Sequence, residues 1–250
     1  MINWDYIEGK RQKYYNIYSR KVLIALRKTI MPVIKQSRVF SEGNLNIDLL
    51  ITDYHIRKVY QELYLKVGKA FIKDLTRLLS KSFQEDLWEM EMMRYVNELA
   101  GNEITLVSNY TRESIQMVLK QVMDKGLQEG LSVGDIMKNL RRELTFGDYA
   151  TFTKARALRI AKTEVMTASN QGGYIAASLS GANIKVWLTA PTGVAKKERH
   201  NAIGMNGTKS PLDHAFDVDG EKMMFPGDSS QGASARNIIN CNCGLTYELV

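Results

Sequence analysis

The sequence predicts an α+β protein, a mostly helical N-terminal body followed by a small β-rich C-terminal unit. Up to about residue 180, apolar side chains recur at three- and four-residue spacing, the mark of amphipathic helices. After Gly181 they fall into short alternating stretches, punctuated by Asn206-Gly207, Asp219-Gly220 and Pro226-Gly227. At 250 residues, 44% hydrophobic and 24% charged, the chain has the apolar content to bury a core. The pattern divides it into a helical N-terminal region over 1–100, a further helical part over 101–180 and a β-rich unit over 181–250.

The elements follow in order. Tyr14, Tyr18, Val22, Leu26 and Ile30 make one ridge of a first helix, which Pro32 is expected to end or kink because proline lacks the amide donor. RVFSEGNLN, 38–46, reads as a polar connector. A second long helix is expected from about Asp48, with Ile56, Val59, Leu63, Val67 and Leu75 on its buried stripe. LWEMEMMRYVNEL, 87–99, continues the pattern to a stop at Gly101, its methionines serving as adaptable core filler. Ile104, Val107, Ile115 and Val118 mark another helix that closes near Gly126 or Gly130. Ser132 is placed to cap the next, which carries Ile136, Met137 and Leu140 on one face. The last helix is expected from Thr151 to Ser178, with Gly172 and Gly173 making a bend plausible. IKVWLTA, 184–190, reads as a strand, FDV and KMMF as a hairpin, and GLTYELV, 244–250, as the closing strand.

Several classes are disfavoured. No run of eighteen uncharged apolar residues is present, since VLIALRKTIMPVI is broken by Arg27 and Lys28. The start, MINWDYIEGKRQK, lacks the apolar core of a secretory signal, so a reducing cytosol is the expected setting. The net charge of +7 favours an acidic partner such as nucleic acid, although KKERH, 196–200, is a short basic run and scattered lysines also suit a solvated helical surface.

The only two cysteines, Cys241 and Cys243, lie one residue apart beside the closing strand. On a strand such residues share a face, so both sulfurs can meet at one point, whereas a mutual disulfide would close a very small ring. In a reducing compartment two convergent thiols suit zinc, and His200 with His214 completes a Cys2His2 set by number, though not with the spacing of a zinc finger. The alternatives are packing thiols without metal, or a nucleophilic cysteine with His200 as base and Asp213, Asp217 or Asp228 as orienter. Arg159 and Thr163, like Ile160 and Glu164, stand one turn apart and read as a solvated helix face. Trp187 reads as core, and FPGD, 225–228, as a turn capped by Asp228.

RALRIAKTEVMTASNQG, KVWLTAPTG, RHNAIGMNG, SPLDHAF, GEKMMFPGD and INCNCGLTYE stand in this order over roughly 130–250. Together these blocks resemble the phage Mu F-like head morphogenesis family, the minor head proteins of tailed phages. The resemblance places characteristic residues at Arg156, Arg159, Thr163, Glu164, Asn170, Trp187, His200, Gly207, Phe216, Pro226, Gly227, Asp228, Asn240, Cys241 and Cys243. Three departures stand out. Asn242 takes the place of an arginine between the cysteines, His214 stands where an acid is more common, and TAPTGVAKK lacks the acid that follows the tryptophan strand.

The resemblance implies a structural minor head protein acting in head morphogenesis near the portal, with a part in genome packaging or ejection. Its partners would be the portal protein, the major capsid or scaffolding protein, and packaged double-stranded DNA held by electrostatics. Residues 1–100 would supply the partner surface. The protein would reside in the virion head, and in the host cytoplasm during assembly. It would not be an enzyme and would require no cofactor, and any zinc would be held by His200, His214, Cys241 and Cys243. On this reading the cysteines lock the closing strand against the His200 loop. The enzymatic alternative is a zinc- or cysteine-dependent hydrolase using His200, Cys241 or Cys243 with Glu164 as acid or base.

Overall fold

A computed structural model describes residues 3–39, 47–78, 84–98, 100–146, 154–191 and 199–248. Most of the expected 38–46 connector, and Lys196, Lys197 and Glu198 of the basic run, lie outside the described residues. In chain order the helices are α1 (Trp4–Val39), α2 (Ile47–Leu50), α3 (Tyr54–Leu78), α4 (Glu85–Glu98), α5 (Ala100–Gln128), α6 (Val133–Phe146) and α7 (Lys154–Leu179). Then follow β1 (Ile184–Leu188), α8 (Arg199–Ala202), β2 (Lys209–Pro211), β3 (Phe216–Val218), β4 (Glu221–Met223), α9 (Ala235–Ile238) and β5 (Gly244–Glu248). The architecture is α+β, with the helical body leading.

Local physics accounts for several boundaries. Pro32 does not end α1, which runs through it to Val39. The hydrogen bond lost there is offset by burial of Val33 and Ile34. Gly101 does not close α4 but stands in the first turn of α5. Gly130, at φ 66°, provides the left-handed residue just past the end of α5. Ser132 caps α6 as expected, its Oγ accepting from the Asp135 amide at 3.2 Å.

Helix α7 is the centre of the body. Its small residues Ala157, Ala161, Ala168 and Ala176 are buried, and neighbouring backbones approach closely. At the α3–α7 crossing a Cβ added to Gly172 would lie 2.7 Å from the Cα of Gly68. Gly172 therefore serves a close helix crossing, and α7 is continuous through both glycines. The indole of Trp88, fully buried, donates to the Gly172 carbonyl at 3.3 Å and seals the same junction.

One hydrophobic cluster joins α1, α3, α4 and α7 to the C-terminal unit, with Tyr18, Val67, Met92, Val165, Trp187, Phe225 and Cys243 in continuous contact. Residues from 1–100, 101–180 and 181–250 thus share one core. A second cluster unites the distal part of α1 with α5 and α6 through Ile30, Val33, Ile115, Val118 and Leu140.

The sheet has the order β2-β1-β5 and is antiparallel throughout, with Trp187 opposite Leu245. β3 and β4 form the expected hairpin. Asp219 and Gly220 at its tip have φ of 54° and 81°, both left-handed, as a two-residue type I′ turn needs. β2, α8 and α9 are three or four residues long and fall below the length at which periodicity is readable. Among the described residues no helix is long and apolar enough to cross a membrane.

Candidate functional site

His200, Cys241 and Cys243 meet in the interior. Single-turn α8 carries the histidine, and the irregular segment leading into β5 carries the cysteines. The thiols do not sit on the strand itself. Asn240, at φ 59°, turns the chain so that both sulfurs still face His200. His200 Nδ1 lies 3.3 Å from Cys243 Sγ and 3.5 Å from Cys241 Sγ. The backbone N–H of Cys243 donates to Cys241 Sγ at 3.4 Å. All three residues are sealed, at 4%, 6% and 5% exposure for His200, Cys241 and Cys243.

The hydrogen-bond network sets the imidazole tautomer. Asn237 Nδ2 donates to the Val218 carbonyl at 3.2 Å and to Glu221 Oε2 at 2.9 Å, which leaves Oδ1 to accept. His200 Nε2, 3.3 Å from that oxygen, is therefore the N–H donor. In the neutral ring Nδ1 then presents its lone pair to both sulfurs. Trp187 packs edge-on to the imidazole at 5.6 Å between centroids and holds Phe216 at 5.1 Å on its other flank.

The electrostatics of the trio are mutual. Burial disfavours a charged His200, but hydrogen bonding to Cys241 and its charge, aided by Asn237, raise the pKa above the ordinary value. The Cys243 side chain, hydrogen-bonded to it, holds Cys241 well below the usual thiol range, against burial and with help from His200 and the Cys243 amide. Cys243 is correspondingly pushed up, first by its hydrogen bond to Cys241 and then by burial.

A second set of contacts ties this cluster to α7 and α1. Asn170 Nδ2 donates to the carbonyls of Pro226 at 3.0 Å and Cys243 at 3.1 Å. Arg11, fully buried, donates to Ser169 Oγ, Asn170 Oδ1 and the Cys243 carbonyl at 2.8, 2.9 and 3.0 Å. Asp228, also fully buried, caps the FPGD turn, accepting from the Met224 amide at 2.8 Å and the Ser230 amide at 2.9 Å. Gly227 has φ 90°, and a Cβ there would meet Thr167 Oγ1 at 2.4 Å.

Other predicted residues find different places. His214 is exposed and lies outside the trio, so the Cys2His2 set does not assemble. It stands at the turn after β2, where chain geometry carries it away, and its carbonyl accepts from Ser210 Oγ. Thr163 and Glu164 are buried instead of solvated, because α7 is surrounded there, whereas Arg159 one turn earlier is exposed as expected. Glu164 accepts from Tyr64 Oη at 2.8 Å, a tie to α3, and Thr163 Oγ1 accepts from the Asn240 amide at 3.5 Å. Arg156 reaches Thr111 Oγ1 at 3.3 Å and stacks 4.6 Å over the Tyr110 ring. Arg159 and Glu164 help line an apolar cavity of about 220 Å³ between α7 and α9, which none of His200, Cys241 and Cys243 lines. Gly207, at φ 78°, donates its amide to the Trp187 carbonyl at 2.8 Å. Sequence reasoning missed Arg11, Ser169 and Asn237. No local pattern marks them, since Asn237 meets His200 across 37 residues and Arg11 meets Ser169 and Asn170 across 158 and 159.

Comparison with known proteins adds little beyond this geometry. No family model matches the chain, and no solved structure matches it. The chain is 32% identical over 131 residues to "Uncharacterized protein YqbB" of Bacillus subtilis (strain 168). That similarity takes in 52% of this chain and 40% of YqbB, so the chain spans well under two thirds of that relative's length.

Proposed function

We propose that this protein is a structural minor head protein of a tailed phage, associated with the capsid and acting in head morphogenesis near the portal, with a part in genome packaging or ejection. The observation carrying this reading is the physical interdependence of residues from separate blocks of the resemblance. Asn170 of the arginine-rich helix secures the carbonyls of Pro226 and Cys243, and both thiols close on His200, itself packed against Trp187. Burial of that cluster supports a fold-holding role over a nucleophile, which needs a path to substrate.

The helical body supplies the partner surface. Ile17, Ile24 and Met31 are exposed on α1, and Tyr110, Met117 and Leu127 on α5, offering apolar contacts to portal and to capsid or scaffolding protein. The +7 charge suits residence beside packaged DNA, through backbone electrostatics without base reading. The protein would occupy the virion head, and the host cytoplasm while heads assemble. Copurification with portal protein from phage-infected cells is the expected result. Consistent absence from both procapsids and mature particles overturns the reading.

A further inference from the structure

We propose that His200 Nδ1, Cys241 Sγ and Cys243 Sγ bind one zinc ion that staples the closing strand to the α8 loop. The inference is independent of the head-assembly role. These three ligand atoms all lie within 4.8 Å of one another. A tetrahedral zinc with bonds of about 2.3 Å to sulfur and about 2.0 Å to nitrogen separates the two by about 3.5 Å. The observed nitrogen–sulfur separations are 3.3 and 3.5 Å, so the imidazole nitrogen stands at coordination spacing from each sulfur.

The surroundings complete the case. Because His200 Nε2–H donates to Asn237 Oδ1, the neutral ring offers its Nδ1 lone pair inward, the form in which imidazole ligates. Asn237 is itself oriented by Glu221 Oε2 and the Val218 carbonyl, an outer shell of the kind that fixes a ligating histidine. The Cys243 amide points at Cys241 Sγ, a contact that favours sulfur as thiolate. The buried guanidinium of Arg11, bonded to the Cys243 carbonyl, adds positive charge nearby. The indole N–H of Trp187 is buried with no hydrogen-bond partner among the described residues. Zinc with two thiolates and one imidazole has three protein donors here, leaving a fourth position for another ligand.

Protein purified under reducing conditions without chelator should carry one zinc per chain by elemental analysis. Mercurial titration of the wild-type protein should release that zinc as both thiols react. Cobalt(II) replacement should produce thiolate-to-cobalt charge-transfer absorption. Cys241→Ser and His200→Ala should each lose the metal, while His214→Ala keeps it. No zinc above the buffer blank in folded, reduced wild-type protein, together with no cobalt–thiolate absorption, overturns the proposal. So does full zinc retention in folded Cys241→Ser. If that variant does not fold, the wild-type mercurial titration decides alone. A zinc-free protein that still copurifies with portal protein removes the staple and leaves the head-assembly reading standing.

Discussion

Arg11 Nη2 donates to Asn170 Oδ1 at 2.9 Å, joining the first helix to the central helix across 159 residues of sequence. The same guanidinium reaches the Cys243 carbonyl at 3.0 Å, so one side chain clamps α1, α7 and the segment entering β5. Its partners are neutral, and each loses a donor if the arginine goes. Arg11→Met preserves most of the apolar stem and should destabilise the protein by about 3 kcal/mol, because Ser169 Oγ and Asn170 Oδ1 are left buried without their donor. Chemical denaturation checks this, and a midpoint unchanged from wild type refutes the clamp.

The α3–α7 crossing is tight at Gly172. Gly172→Ala puts a methyl group 2.7 Å from the Cα of Gly68, where only backbone can yield. A loss of about 1–3 kcal/mol is expected from overpacking. Gly9→Ala is the contrast: nothing lies within 4 Å of its Cβ, and it sits within α1. There the better helix propensity of alanine should raise stability by up to about 1 kcal/mol. Thermal melting of the two variants side by side separates crowding from propensity.

The FPGD turn depends on a residue without a side chain. Gly227→Ala combines a left-handed φ of 90° with a clash at Thr167 Oγ1 and should cost about 2–4 kcal/mol. Gly232→Ala is also left-handed, at φ 83°, but has nothing within 4 Å, so it should cost less. Equal losses in the two variants, measured in denaturant, contradict a role for the contact with α7.

Lys185 gives a pH signature. It is fully buried on β1, donates to the Met224 carbonyl at 2.8 Å, and lies near the rings of Tyr174 and Phe216. Burial draws its pKa down to about 8 from 10.5, against the opposing charges of Asp228 and Asp213. Between those values the unfolded chain holds a proton that the native protein lacks, so this residue's contribution to stability rises with pH. Below pH 8 both states are protonated and the contribution stays at its minimum. Wild type should therefore gain about 1–3 kcal/mol relative to Lys185→Met between pH 7 and 10. A difference that is flat across that range rejects the assignment.

Periodicity located the long helices, because stripes such as Ile56, Leu63 and Val67 record which face is buried, but not their ends: the helix expected from Asp48 begins at Tyr54, and α1 runs through Pro32. Asp219-Gly220 likewise announced its hairpin, since few residue pairs tolerate two left-handed positions in succession. The pairing of Cys241 and Cys243 with His200 was also legible, from the two-residue spacing of the cysteines and the presence of His200 in the same β-rich unit. Exclusion of His214, burial of Glu164 and the grip of Arg11 were decided only by tertiary packing. Each depends on which elements are neighbours in space, and local propensity carries no information about a distant partner such as Tyr64 for Glu164, 100 residues away. The burial of α7 on nearly every side is the underlying cause, turning what reads as a polar helix face into the interior of the protein.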